Sequence, residues 1–276
     1  MRTWSFAKGH GTANDFVIVK DRSGLLNPSV EDVQFLCNRQ LGIGADGLLR
    51  AVKAEHMPDW DGPGDIWFMD YRNADGSLAQ MCGNGLRVFV QWLMEEDLAA
   101  GDPILIATRA GLRQASVLPD GRLLVTMGVP TWMQVTGRVR IDGQWFSGHI
   151  VDVDNPHCVI HLASWAQLAD IDLDRVEPDP SDFPQGCNVE VVVNHGPGRL
   201  SMRVYERGVG ETQSCGTGAV AVACDDRGLT GDILDHYRVD VPGGQLSVRF
   251  DQSGQASLTG PAVVVARGEV ILPDEY

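Results

Sequence analysis

MCGNGLRVFVQWLMEED, residues 81–97, decides the fold. Leu86, Val88, Phe89, Val90, Trp92, Leu93 and Met94 fall on nearly every side of a helix, and a helix without a polar face has to be enclosed by other elements. The helix begins at a glycine turn, Cys82-Gly83-Asn84-Gly85. The same arrangement recurs as SCGTGAVAVAC at residues 214–224, where the following helix is again apolar all round but built of smaller residues.

Around these two stretches, throughout the sequence, the chain reads as strands. Short β-branched and aromatic runs, FVIV (16–19), DIWFMDYR (65–72), ILIAT (104–108) and LLVTMG (123–128), are punctuated by Gly, Asp and Pro. NVEVVV (188–193), LSMRVYE (200–206), LSVRF (246–250) and AVVVA (262–266) continue the pattern. A further helix is expected from Asn27 as N-cap and Pro28 at the first helical position, with Glu31 and Asp32 in its first turn, to about Arg39.

The duplication extends beyond the cysteine turns. NDFVIV (14–19) precedes the first and NPHCVI (155–160) the second, so each half reads Asn turn, strand, intervening elements, Cys-Gly-x-Gly, buried helix. The expected fold is α+β: two pseudo-symmetric domains, each a curved, mainly antiparallel sheet wrapped around one central buried helix. The turn LPDG (118–121) suggests the boundary, giving residues 1–118 plus 262–276 as one domain and 119–261 as the other, with the last strand returning to the first domain.

Charge narrows the partners. The chain carries 22 Lys+Arg against 37 Asp+Glu, a net −15, which repels phosphate backbones and anionic membranes and argues against both as partners. No apolar run has signal-peptide or membrane-spanning length, so a cytoplasmic protein is expected.

Several motifs point nowhere. GIGADG (42–47) matches the dinucleotide pattern GxGxxG, but a helix-like segment precedes it and a strand follows, the reverse of a Rossmann turn. His157 and His161 lie in the strand-like HCVIH, which gives no helical ligand pair, and the six cysteines show no CxxC spacing; no metal and no cofactor are expected. Taken singly, Asn14, Asn73, Asn155 and Asn188 read as caps of their own turns and Glu206-Arg207 as a surface pair.

Of the cysteines, Cys37, Cys158, Cys187 and Cys224 read as small buried hydrophobes. Cys82 and Cys215 stand at helix starts, where backbone N–H groups and the positive end of the helix dipole stabilise a thiolate and a ligand carboxylate alike. Two equivalent thiols suit stereoinversion, in which one removes a proton from a carbon and the other returns one to the opposite face. The α-proton of an amino acid is weaker than a thiol by roughly ten units, about 14 kcal/mol, whereas a helix terminus supplies about 0.3–2 kcal/mol. Several N–H donors on the substrate carboxylate, in a site closed to water, have to make up the difference.

At these residues the chain resembles the diaminopimelate epimerase family. GTANDFVIV, GIGADG, RNADGSLAQMCGNG, DNPHCVI, CNVEVV, ERGVGETQSCGTGA and GPAVVVARGE carry the resemblance, which covers essentially the whole sequence. It implies a pyridoxal-independent, cofactor-free conversion of LL- to meso-diaminopimelate in a cleft between the two domains, and a homodimer. Cys82 and Cys215 would be the proton-transfer pair, and Gly83, Asn84, Gly216 and Thr217 would hold the carboxylate at the reacting centre. Asn14, His157 and Glu206 would lie near its ammonium, with His157 and Glu206 counted in the catalytic set. Asn73, Asn188 and Arg207 would recognise the distal centre, and Asn155 would join the substrate contacts. Gly47 stands where some family members have Gln, so any amide contact there is lost or replaced by water.

Two alternatives remain. Proline and hydroxyproline racemases also use two cysteines but typically carry His where Asn84 stands, and their substrates lack a distal end. A redox-sensing or binding protein with a Cys82–Cys215 disulfide is the alternative from a different class.

Overall fold

The structure is a computed structural model and describes residues 2–231 and 234–273; residues 1 and 274–276 of the expected first domain and 232–233 of the expected second lie outside these. The backbone forms two compact units. One runs to Val125 and includes the described chain from Pro261 on, and the other is Thr126–Gly260. The LPDG turn at 118–121 is a hairpin of the first unit, with the Leu118 N–H donating to the Arg122 carbonyl at 2.8 Å and Gly121 at φ 82°.

The first unit contains β1 (Arg2–Gly11), β2 (Asn14–Asp21), α1 (Val30–Cys37), β3 (Gly47–Lys53), β4 (Trp67–Asn73) and α2 (Gly83–Glu95). It continues with β5 (Ile104–Thr108), β6 (Gly111–Val117) and the start of β7 (Leu123–Gly128). The second contains β8 (Thr131–Ile141), β9 (Gln144–Asp152), β10 (Pro156–His161), α3 (Trp165–Asp170), β11 (Val176–Pro178) and β12 (Asn188–Asn194). After these come β13 (Arg199–Glu206), β14 (Gly210–Thr212), α4 (Gly216–Thr230), β15 (His236–Val241), β16 (Gly244–Phe250) and β17 (Ala256–Gly260). The last strand, β18 (Val263–Leu272), returns to the first unit and pairs antiparallel with β1.

The two units share one pairing diagram. In the first, the spatial order is β18-β1-β2-β3-β4-β5-β6-β7, antiparallel throughout except for the parallel pairs β2–β3 and β4–β5. In the second, β8-β9-β10-β12-β13-β15-β16-β17 has the same signs in the same places, with β10–β12 and β13–β15 parallel. A parallel pair needs a crossover long enough to hold a helix, and the four parallel pairs fall where α1, α2, α3 and α4 connect the strands. The α+β class and the internal repeat are as expected from the sequence.

α2 touches β1, β2, β3, β4 and β18, and α4 touches β8, β9, β10, β12, β13, β15, β16 and β17. Gly83 to Val90, Trp92 and Leu93 are buried along α2, and Gly216 to Ala223 are buried along α4. The missing polar face is thus explained by enclosure within each sheet. α1 starts later than expected: Ser29, not Asn27, is the N-cap. The Ser29 hydroxyl accepts from the Asp32 N–H at 3.2 Å while the Asp32 carboxylate accepts from the Ser29 N–H at 3.0 Å, a reciprocal box that outweighs the weaker signal of Asn27-Pro28. α1 also ends at Cys37, because Asn38 turns to extended backbone and its amide oxygen takes the N–H groups of Gln40 and Leu41. Among the described residues, no helix is long and apolar enough to cross a membrane.

Candidate functional site

Two half-sites, one per unit, are built on the same device. Cys82 is the N-cap of α2 and Cys215 the N-cap of α4, both with extended backbone. Each sulfur accepts the N–H of the third helical residue, Gly85 at 3.4 Å and Gly218 at 3.3 Å. This is the place a Ser or Asp oxygen takes in an ordinary cap, and it aims the positive end of the helix at sulfur.

In the first unit, the hairpin from β1 to β2 sets Asn14. Its two loop residues, Thr12 and Ala13, both have positive φ, 53° and 62°, as a tight turn matched to the strand twist requires. Asn14 is thereby held buried at the start of β2, where its carbonyl oxygen accepts from Asn84 Nδ2 at 3.2 Å and from the Cys82 thiol at 3.7 Å. Its amide donates to Asp46 at 2.7 Å. Burial raises the Asp46 carboxyl and the Asp15 anion adds to the rise, against the lowering by the Asn14 hydrogen bond. Arg39 bridges both acids at 2.8 Å.

Beneath the turn lies Arg87, fully buried in α2, donating to Asn84 Oδ1 at 3.0 Å. Burial pulls its guanidinium down to about 10, and the charge on Cys82 works in the opposite direction, favouring the cation. Asn73, at the end of β4, donates to Ser77 Oγ at 2.9 Å and lies opposite Gly47. A Cβ at Gly47 would stand 2.7 Å from the Arg72 carbonyl and 2.6 Å from the Tyr71 ring, so the backbone itself leaves no room for a glutamine here.

In the second unit, Cys215 is buried, and its hydroxyl neighbour Thr217 stands 3.3 Å from the sulfur. Burial pushes the thiol well up, and the carboxylates of Glu206 and Glu190 push in the same direction, against the lowering by Thr217 and the Gly218 N–H. His157 is fully buried: Nδ1 lies 2.7 Å from Glu190 Oε1 and Nε2 3.0 Å from Asn155 Oδ1. Both ring nitrogens are thus taken up inside the unit, by Glu190 and Asn155. Glu206 accepts from the Thr212 hydroxyl at 2.5 Å. Asn188 accepts the Arg207 N–H at 2.9 Å, and the exposed Arg207 guanidinium donates to the Gln185 carbonyl at 2.9 Å.

The shared topology makes the halves comparable residue by residue. Phe16 pairs with Gly47 across β2–β3 and His157 with Asn188 across β10–β12, so Phe16 corresponds to His157, Gly47 to Asn188 and Leu49 to Glu190. Under Gly85 lie Leu49 and Phe16; under Gly218 lies Glu190. One cysteine turn rests on hydrocarbon and a buried cation, the other on a buried acid. Glu190 and Arg87 escaped the sequence reading, though each left a signal: a lone charge in NVEVVV and a charge inside the apolar run LRVFV. Asp46, which fixes Asn14, was hidden inside the GIGADG motif.

The remaining thiols are as the sequence suggests. Cys37, Cys158 and Cys187 are buried, Cys224 is half-buried, and burial pushes Cys37 up to about 12 and Cys224 up to about 11.

A sequence model described as diaminopimelate epimerase matches residues 6–133 and 149–265. The chain is 46% identical over 276 residues to the diaminopimelate epimerase of Corynebacterium glutamicum (strain R), covering 97% of this chain and 98% of that one. It is 44% identical to the diaminopimelate epimerase of Thermobifida fusca, again over 97% and 98% of the two chains. Among solved structures, a phenazine biosynthesis protein of Bacillus anthracis superposes with a TM-score of 0.73 at 16% identity, covering 99% of this chain and 100% of that one. A hydroxyproline epimerase from Agrobacterium vitis gives 0.71 at 14% identity, over 99% and 94%. At such identities the structures share the fold alone, whereas the sequence matches run nearly end to end and include both cysteine turns. The chain belongs to the diaminopimelate epimerase family.

Proposed function

We propose that the protein interconverts LL- and meso-2,6-diaminopimelate by two-thiol proton transfer at one α-carbon. The observation that carries the reading is the pair of equivalent cysteine N-caps, each sulfur accepting the third N–H of a buried helix, in a chain of this family. In this reading a thiolate takes the α-proton, the electron pair moves onto the substrate carboxylate, and the other thiol delivers its proton to the opposite face. The first N–H groups of a helix have no partner within it, so Gly83, Asn84, Gly216 and Thr217 are the donors for the carboxylate that accumulates the charge.

The unequal surroundings support unequal resting roles in this reading. Cys215, among the carboxylates of Glu190 and Glu206, is the proton donor, while the buried Arg87 favours negative charge on Cys82, the base in that direction. Asn14 holds the Cys82 turn against its strand, Asn155 takes the second nitrogen of His157, and His157 positions Glu190. Glu206 takes the substrate ammonium, and Asn73, Asn188 and Arg207 take the distal amino-acid end, where a planar guanidinium binds a carboxylate in bidentate fashion. A cytoplasmic homodimer completes the proposal and rests on the resemblance to the family.

The test is incubation of reduced protein with LL-diaminopimelate in D2O, following meso product and α-deuterium. Wild type exchanges and inverts without added cofactor; Cys82→Ala and Cys215→Ala each lose inversion by at least about 1,000-fold, the scale set by removing a proton-transfer group. Full turnover by either variant would exclude the two-thiol mechanism, and exchange of proline instead would move the chain to the racemase reading.

A further inference from the structure

The second unit carries a cluster that proton transfer does not use. His149 on β9 pairs with Val159 on β10, so its ring shares a sheet face with that of His161, two residues further along β10. This is the face that α4 covers, and Asp225 of α4 comes down between the rings. Asp225 Oδ2 lies 2.6 Å from His161 Nε2 and Oδ1 3.1 Å from His149 Nδ1. Among the described residues this is the one group of three His, Cys, Asp or Glu side chains whose ligand atoms all fall within 4.8 Å of one another.

Three features suit these atoms to a cation. The carboxylate is fully buried while the imidazoles are 27% and 29% exposed, so charge sits at the bottom and access is through the rings. Trp132 Nε1 donates to Asp225 Oδ1 at 2.9 Å, an outer hydrogen bond that fixes the carboxylate's orientation as second-layer partners do at metal centres. His149 and Trp132 also line an open surface depression with Thr136 and Leu229, so the cluster is reached from solvent on the His149 side. Two imidazoles and one carboxylate form a donor set suited to zinc and other divalent first-row ions.

We propose that His149, His161 and Asp225 form a binding site for a divalent transition-metal ion, separate from the cysteine turns. Asp225 lies two helical turns beyond Gly218 on α4, about 10 Å along the axis at about 1.5 Å per residue. Ligation at about 2.1 Å needs donor atoms roughly 3–3.5 Å apart, so the rings close in by no more than about 1.5 Å while His161 and Asp225 part from 2.6 Å to make room for the ion. Each neutral ring then turns its lone pair to the ion and carries its proton on the other nitrogen.

Co2+ added to reduced, chelator-treated protein tests this. One ion per chain is expected, with visible ligand-field absorption and without the near-ultraviolet sulfur band that a thiolate ligand gives. His149→Ala and His161→Ala should each weaken binding by more than about 100-fold, and Trp132→Phe by about 10-fold. His161→Gln, which keeps an N–H beside Asp225, should lose the ion yet retain wild-type epimerisation and thermal midpoint. Undiminished uptake in both alanine variants, a sulfur band, or no uptake with Co2+ in excess would overturn the site.

Discussion

The same substitution at equivalent positions of the two halves should have opposite effects. Gly85 and Gly218 occupy the third position of α2 and α4, each donating its N–H to the capping sulfur. A Cβ on Gly85 would meet Cys82 Cβ, Leu49 Cδ2 and Phe16 Cζ, all at 3.4 Å, at the edge of ordinary van der Waals contact. A Cβ on Gly218 would stand 2.6 Å from Glu190 Oε1 and 3.2 Å from Glu190 Cγ and Met202 Cε. Replacing glycine with alanine in a helix gains up to about 1 kcal/mol. At Gly85 little opposes that gain, so Gly85→Ala should leave stability unchanged or raise it by up to about 1 kcal/mol.

At Gly218 the carboxylate has to move, and it is tied to His157 at 2.7 Å with both groups fully buried. Overpacking costs about 1–3 kcal/mol and a weakened charged hydrogen bond about 1.5–3, so after the helix gain Gly218→Ala should lose about 2–4 kcal/mol. Urea unfolding of each variant, with the slope checked for constancy, measures the difference. Equal midpoints for the two variants, or a loss at Gly85 and none at Gly218, would refute the claim that the halves rest on different material.

Ala13→Gly should raise stability by about 1 kcal/mol, because Ala13 holds φ 62° and a residue with a Cβ is strained there by about 1–2 kcal/mol; thermal unfolding reads it. Glu190→Gln removes an anion that pushes the Cys215 thiol up, so the pH at which Cys215 ionises should fall. The thiol of wild type stays protonated over a wide range and ionises only as pH rises; the variant should reach its thiolate at lower pH, seen in the pH profile of iodoacetamide alkylation of a Cys82→Ala background. An unchanged profile would remove Glu190 from the surroundings of Cys215.

The repeat was legible because its signals are local. Two apolar helices and two Cys-Gly-x-Gly turns state enclosure and helix starts in a handful of neighbouring residues. The asymmetry between the halves was not, because it depends on which strand residues end up beneath each turn, a consequence of parallel register that no local pattern states. Leu49 and Glu190 occupy equivalent places, yet LLRAV and VEVVV look unrelated in the sequence. The His149–Asp225 contact spans β9 to α4 and was equally hidden, while His157 and His161, the two ends of HCVIH, serve different neighbours. The start of α1 was misplaced by a smaller margin, because two capping signals compete within three residues and only the reciprocal one closes.

The return of β18 to the first unit bears on how the chain is made. Thr126–Gly260 is one uninterrupted stretch, so during synthesis everything the second unit needs emerges before β18 does. The first unit waits, with β1 holding β2 on one side and an open edge on the other until Val263–Leu272 arrives. Although first to leave the ribosome, the half that carries Cys82 is last to be completed, and a chain cut short before residue 263 would display a ten-residue strand edge ready to pair with another copy.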